Sequence, residues 1–444
     1  MGEAEEEIAG LLYIDGRVRV YQGSKTKLPK KYVSRQKLCL RGMSDYWVND
    51  AIGRPYFVVS SAHNKGLLSM LKTEIVPQLL KDVPNQATKE DLNKDREISR
   101  FSLIFDREGY SPEFFKDMWK EHRISCYTYK KYVKEDWSEE EFKEHEVKLK
   151  TGKILRMKLA EKKIMLKGIE VREIRKLTEI GHQTSIITTD FIPEITVIAA
   201  NMFARWSQEN FFKYMREHFG IDRLIEYGVE EINDTVEVLN PEYRTIESQV
   251  KSTRQKIVKK EAEFGRISLN LEEKDIKKED TEKDIEEKED EELKKYLDKK
   301  SKIQESIEFY KNDLNTLKDK RKSTEKYIKI SELPKSERYD SLMTEKKHIM
   351  DTIKMIAYRA ETAMSTIIEP QMFKRKEART LLRQIFCTEI DLDPDIDNKV
   401  LNISLHSLSN EKSNKIVLKL CKHLNESEAT FPGTDMRLFY KLVS

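Results

Sequence analysis

The sequence predicts an α/β fold: a mixed-sheet core with a β insertion, then an α-helical coiled-coil segment and a small C-terminal α/β unit. Three observations carry this. Short strands rich in β-branched and aromatic residues alternate with amphipathic helices in the N-terminal part. Between positions 242 and 329 Lys and Glu dominate, Pro is absent and Gly265 is the only glycine. Near the end, "KVLNISLHSL", "NKIVLKLCKHLN" and "MRLFYKLV" read strand, helix, strand.

Taken in order, "GLLYIDGRVRVY", "KLCLRGMSDYWVND" and "GRPYFVVSS" are strands separated by Gly-containing breaks. "GLLSMLKTEIVPQLLKDV" is an amphipathic helix interrupted at Pro77. "RFSLIFDREGYSPEFFKDMWKEHRISCYTY" reads as a buried strand, a turn, a helix and a second strand. Its helix start is marked by Ser111 as N-cap, Pro112 at the first position and Glu113 in the first turn. Residues 136–190 alternate at period two and predict an antiparallel insertion, followed by a helix from about Pro193 to His218. Farther on, Val250, Ile257, Phe264 and Leu271 fall seven apart, as do Tyr296, Ile303, Tyr310 and Leu317, with Ile307 and Leu314 in a second seam. Such heptads predict an antiparallel helical hairpin, with a dimeric rod as the alternative. The segments are then 1–135 (first part of the core), 136–190 (insertion), 191–240 (core helix), 241–330 (coiled-coil hairpin) and 331–444 (C-terminal helical and α/β part).

Charged residues make up 36% of the chain, against roughly 25% in an average soluble domain, yet the formal net charge is only +3. The charge is unevenly laid out. No acid occurs between Asp15 and Asp45, while Arg17, Arg19, Lys25, Lys27, Lys30, Lys31, Arg35, Lys37 and Arg41 crowd that window. So many cations repel unless a polyanion neutralises them, which predicts a phosphate-backbone track; a solvated loop is the plainer reading. Cys39, Cys126, Cys387 and Cys421 match no metal spacing and read as reduced, mostly buried thiols of an intracellular protein. No apolar run approaches a membrane span. Neither a Gly-rich phosphate loop nor a Ser/His/Asp grouping is present, which argues against a nucleotide cofactor or a serine hydrolase.

Three acids stand out. Asp15 lies in the first apolar strand, although Asp-Gly between alternating hydrophobics is also a hairpin-turn signal. Asp106 ends the run Phe101–Phe105 where a strand leads into a helix, the end at which α/β sheets bind ligands. Glu209 lies in "ARWSQENFFKYMR". On a wheel of about 100° per residue, Phe203, Phe211, Phe212, Tyr214, Met215 and Phe219 sweep one arc, while Arg205, Trp206, Glu209, Lys213 and Arg216 share the rest. That polar stripe is either a solvated face laced by i,i+4 ion pairs or an acid in a cleft with cations for an anionic substrate. Acids on a first strand, at the end of the next-but-two strand and on a later helix meet at one edge of a mixed sheet in the ribonuclease H-like fold. Oxygen donors of this kind favour Mg²⁺ or Mn²⁺ over zinc.

On these residues the chain resembles the DDE transposases of bacterial insertion sequences, in particular those with a Tyr-x-x-Arg-x-x-x-Glu-x-x-x-x-x-x-Lys signature around the third acid. Arg205 and Glu209 have that spacing; Arg216 stands where the family has Lys, and Met202 where it has Tyr. "DREGYS" looks like the turn after the second acid, "YIDGRVRVY" like the first-acid strand, and the resemblance covers about residues 8–230. It implies a ribonuclease H-like core in which Asp15, Asp106 and Glu209 hold two Mg²⁺ (or Mn²⁺) ions and cleave and transfer DNA strands. Arg205, Lys213 and Arg216, with Lys25, Lys27, Lys30, Lys31 and Arg35 of the basic window, would contact double-stranded DNA, both transposon ends and target. A cytoplasmic, nucleoid-associated protein is implied, with homodimerisation through the hairpin as one arrangement. Because the first strand begins about ten residues from Met1, little room precedes it for an end-binding domain. A metal-dependent nuclease without strand transfer and an inactive DNA-binding remnant are the alternatives.

If the basic window tracks phosphates, replacing Lys25, Lys27, Lys30 and Lys31 by Ala weakens binding to any DNA sequence. The slope of log K against log salt then flattens by up to about one unit for each lysine replaced, measured by fluorescence anisotropy. An unchanged slope removes these lysines from the interface.

Overall fold

A computed structural model describes residues 10–443 except 24–25, 34–35, 62–65, 134, 150–151, 204–205, 224, 226–227, 278–285 and 372–374, and except the side chains of 203–209, 267–293, 295–296 and 371–376. Two compact units emerge, one of Met1–Gln22, Lys30–Gly228 and Leu342–Ser444, the other of Gly23–Pro29 and Val229–Ser341.

The first unit is built on a ten-stranded mixed sheet. Its strands are β1 (Leu11–Val20), β2 (Lys30–Val33), β3 (Leu38–Asp50), β4 (Pro55–Ser61), β5 (Ser102–Phe105), β6 (Ser125–Tyr129), β7 (Lys143–Lys148), β8 (Ile154–Leu166), β9 (Ile169–Leu177) and β10 (Gln183–Thr188). They run in the order β2-β3-β1-β5-β6-β10-β9-β8-β7, with β4 also paired to β3. β1 is parallel to β5 and β5 to β6, and the other pairs described are antiparallel. The predicted insertion is therefore a meander whose last strand pairs with β6 and continues the central sheet. Its β8–β9 hairpin turns at Lys167 and Gly168, both at positive φ, the geometry that suits a two-residue turn.

Because β1 is central, it is buried on both faces. Leu12 and Ile14 join Val48, Leu103 and Phe105 in one core, while Leu11 and Tyr13 join Ile104, Tyr127 and Ile186 in another. The first core is closed by a helix, α1, running through Leu67–Met70, Leu71–Ile75 and Val76–Asp82, and by α3 (Pro112–Asp117); α2 (Lys89–Lys94) lies between them in sequence. The break expected at Pro77 is absorbed by a π-helical turn at Leu71–Ile75, which accommodates the N–H that proline lacks without ending the helix. At α3 the cap forms as expected: the Phe114 N–H donates to Ser111 Oγ at 3.3 Å.

The opposite face carries α4 (Ile195–Phe203) and α5 (Trp206–Phe219), which fall within the span where a helix was expected; residues 204–205 between them lie outside the described residues. Trp47 of β3 packs on Phe211 and Phe212, with ring centroids 5.6 and 6.3 Å away.

In the second unit, α6 (Pro241–Lys277) and α7 (Glu286–Ser323) pack as an antiparallel hairpin. Val250, Ile257, Ile303 and Ile307 are buried, and Phe264 packs on the two isoleucines of α7. Lys311–Glu261, Lys320–Glu242 and Arg321–Glu247 ion pairs cross between the helices. The side chains of Leu271 and Tyr296, assigned to the seam, lie outside the described residues.

Back in the first unit, α8 (Glu345–Ile368), packed on β4, is followed by α9 (Arg375–Phe386) and a three-stranded sheet. The expected strand, helix and strand are Val400–His406, α10 (Glu411–Glu426) and Arg437–Val443. A further strand, Ile390–Asp395, pairs antiparallel to the first. Its aspartates alternate with apolar residues, so the acidic character of "DLDPD" conceals a strand with one polar face. All four cysteines are free; Cys126 and Cys421 are buried, while Cys39 and Cys387 are exposed. No helix among the described residues is long and apolar enough to cross a membrane.

The basic window is corrected in one respect. Arg19 is buried and pairs with Asp45 at 2.5 Å, and Arg17 pairs with Asp222 at 2.6 Å. These cations are compensated by acids from other segments, because sheet pairing matches charges across strands and loops. Burial pushes the Asp45 carboxyl up, but Arg19, Lys347 and Ser60 outweigh it and hold the pKa below the ordinary aspartate value. A carboxyl depressed in the folded state stabilises fully above its unfolded pKa and loses that contribution as pH falls through the folded value. Arg19→Met should therefore cost about 3–5 kcal/mol near neutrality, since it strands a buried carboxylate. It should also flatten the loss of stability below about pH 4, as read from urea melts across pH. A loss under about 1 kcal/mol would show the pair to be energetically idle.

Candidate active site

β1 and β5 are aligned Leu11↔Ser102, Leu12↔Leu103, Tyr13↔Ile104 and Ile14↔Phe105. The next residues in that register are Asp15 and Asp106. β1 continues through Asp15 and Gly16 to Val20, so this Asp-Gly is mid-strand and makes no turn. Asp106 lies one residue past β5 with an extended backbone (φ −71°, ψ 168°). Side chains alternate across a strand, so Asp15 shares the face of Tyr13, and Asp106 that of Ile104. Tyr13 and Ile104 belong to the core beneath α4. Both aspartates therefore face the α4–α5 side, at one level, on strands about 4.8 Å apart.

Local contacts hold each in place. The Gly16 N–H donates to Asp15 Oδ1 at 3.0 Å. Asp106 caps the short turn Arg107–Gly109, accepting from the Arg107 N–H, and its carbonyl accepts from Thr128 Oγ1 at 3.0 Å. A Cβ at position 109 would lie 2.4 Å from the Phe105 ring, so only glycine lets this turn fold back over the strand end. Asp15 is half-buried and Asp106 exposed.

The helix bearing the third acid passes the same place. Trp47, the cross-strand partner of Asp15, packs on Phe211 and Phe212. Arg17, on the face of Asp15, lies over the Phe212 ring at 5.5 Å and binds Asp222 just beyond the helix. At the other end the Tyr13 hydroxyl donates to the Asn201 carbonyl of α4 at 2.7 Å. The backbone of Glu209 is in the first turn of α5, while its side chain, like all of Arg205, Lys25 and Arg35, lies outside the described residues. Among the described residues no three His, Cys, Asp or Glu side chains are grouped to hold a metal ion.

Phe211, Phe212 and Met215 are buried, and Lys213 and Arg216 exposed, as the wheel assigned them. In the basic window Lys30 is exposed, and Lys27 is exposed while donating to the Ser336 carbonyl at 3.2 Å. Lys31 is half-buried; desolvation lowers its pKa to about 8 against the opposing pull of Asp45 and Glu108. Arg17 and Asp222, whose ion pair joins β1 to the segment just after α5, carry no sequence signal: they are 205 positions apart and nothing local marks them as partners.

Asp106 just past the C-terminal end of β5, with Asp15 level with it on the neighbouring parallel strand, places this site where α/β folds bind ligands. The whole chain, residues 1–444, matches the family model described as "Transposase protein", and the protein belongs to that family. Among solved structures it is similar to a piggyBac transposase in a synaptic complex with hairpin DNA, determined by cryo-electron microscopy. Identity there is 11%, over 46% of this chain and 40% of that one, with a TM-score of 0.29, too slight for fold or function to be carried across. No curated protein matches the chain.

Proposed function

We propose that this chain is a DDE-type DNA transposase with a ribonuclease H-like core, akin to those of bacterial insertion sequences, that cleaves donor DNA and joins the freed 3′ end to target DNA. The observation that carries the reading is the placement of Asp15 beside Asp106, at one level and on one face, in a chain of a transposase family. The sheet order supports it. β4-β3-β1-β5-β6, with the first three antiparallel and the last three parallel, is a mixed sheet of the kind this reading expects.

Both carboxylates are hard oxygen donors on one face at one level, so the residues fit a divalent ion. Asp15, Asp106 and Glu209 would hold Mg²⁺ or Mn²⁺, and such ions, when bound, activate an attacking hydroxyl and stabilise the leaving oxygen at a phosphate. The chain's own work is positional. Arg17 ties α5 to β1 and so sets the height of Glu209 over the aspartates. The turn after Asp106 fixes its carboxylate by a backbone N–H. Arg205, Lys213 and Arg216 bind phosphates of double-stranded DNA, and Lys30 extends the basic surface. The α6–α7 hairpin acts as a coiled-coil arm, which offers a second copy a surface for pairing.

Glu209→Gln and Asp106→Asn should each lower Mg²⁺-dependent cleavage of end-bearing DNA by about 100- to 1000-fold or more. DNA affinity and melting temperature should stay near wild type. Capture of the cleaved end into a second plasmid distinguishes a transposase from a nuclease. Full cleavage by either variant would remove the assigned active site.

A further inference from the structure

Helix α8 carries its polarity inside out. Lys347, Asp351 and Glu361 are buried on its inner face. The outer face is aliphatic: Ile349, Ile353 and Ile356 are 64, 54 and 61% exposed, and Met350 is 37% exposed. Ala357, Ala360 and Ala363 continue the stripe and are exposed as well. A solvated helix face ordinarily carries the charges, and a contiguous apolar stripe in their place marks an interaction surface.

The spacing gives the geometry that would cover it. Ile349, Ile353, Ile356, Ala360 and Ala363 fall 4, 3, 4 and 3 residues apart, the seam of a coiled coil. Asp351, Tyr358 and Ser365 occupy the heptad position opposite that seam, and all three are buried. The seam therefore faces away from the core of its own unit, toward a second helix.

The composition of the stripe selects that helix. Its seam is isoleucine in the N-terminal half and alanine in the C-terminal half. Laid antiparallel on a copy of itself, it sets Ile349 over Ala360 of the second copy and Ile353 against Ile356 of the second copy. Large residues then meet small ones at both ends. Parallel pairing would stack Ile on Ile at one end and leave a gap between alanines at the other. Charge singles out no other partner. Of the flanking positions 350, 352, 357, 359, 364 and 366 only Arg359 is charged, and it is engaged by the Pro55 carbonyl at 3.1 Å and by the Tyr56 ring. The stripe is about 21 Å long at 1.5 Å per residue, and burying two of them removes on the order of 1,000 Å². That is the lower end for a specific interface and suits a dimer that forms in the micromolar range.

We propose that the outer face of α8 is a self-association surface, on which a second copy of this chain packs its own α8 antiparallel. The pairing uses neither the paired aspartates nor the α6–α7 hairpin.

Sedimentation velocity of the full chain without DNA, from about 1 to 100 µM, tests it. The wild type should pass from monomer to dimer across that range. Ile353→Asp and Ala360→Lys should each weaken the dimer at least about tenfold, because each buries a charge in the seam. At the lowest concentration both should melt with the wild type, since both positions face water in the monomer. Copies with Ile349→Cys and copies with Ala360→Cys, each also carrying Cys39→Ser and Cys387→Ser, should form a disulfide with one another and none within either preparation alone. Only facing positions bring the Cα atoms within about 7 Å. A wild type that stays monomeric throughout overturns the inference. So does a dimer that survives both charged variants, which assigns association to another surface. Melting temperatures lowered by several degrees in both variants overturn it too, by showing that the chain itself covers the stripe. Disulfides within the Ile349→Cys preparation overturn the antiparallel order.

Discussion

Parallel pairing of β1 with β5 in one register is the constraint on which the rest depends. Side chains alternate with a period of two, so a slip of one residue would send Asp15 to the opposite face and leave Asp106 alone. The register is held from both faces at once. Leu12 and Ile14 pack with Leu103 and Phe105 under α1, while Tyr13 packs with Ile104 and Tyr127 under α4. Leu11–Ile14 and Leu103–Phe105 are buried and apolar up to the point where an aspartate appears at the same level on both strands. That shared boundary is the site.

The second constraint is charge placed inside the fold. The face bearing the aspartates is covered by α5 and α8, and α8 turns Lys347, Asp351 and Glu361 inward. Lys347 pairs with Asp351, and Arg379 lies 3.4 Å from Glu361, which also accepts from the Tyr214 hydroxyl. Buried pairs add less stability than their Coulomb attraction suggests, because desolvation offsets it. They are, however, intolerant of misalignment. With Arg17–Asp222 they favour one seating of α5 on the sheet.

Much of this was legible along the chain. The strand containing Asp15, the strand ending at Asp106 and the amphipathic split of α5 were readable because burial imposes periods of two and 3.6 on local sequence. The Ser111 cap and the heptads from Val250 and Ile303 were readable for the same local reason. What the sequence hid was long-range. Arg17 and Arg19 looked like surface cations because their acids, Asp222 and Asp45, sit on other segments. The strand at Ile390–Asp395 was hidden by its aspartates, and the helix through Pro77 by a π turn that no composition signals.

The central claim is that three acids, brought together by the β1–β5 register and the seating of α5, share divalent ions. The most direct measurement is anomalous diffraction at the manganese edge from crystals grown with Mn²⁺. Peaks bridging the Asp15 and Asp106 carboxylates, with Glu209 as a further ligand at about 2.2 Å, are the predicted result. Manganese absent from that edge, with Glu209 turned to solvent in an ordered helix, would contradict the account.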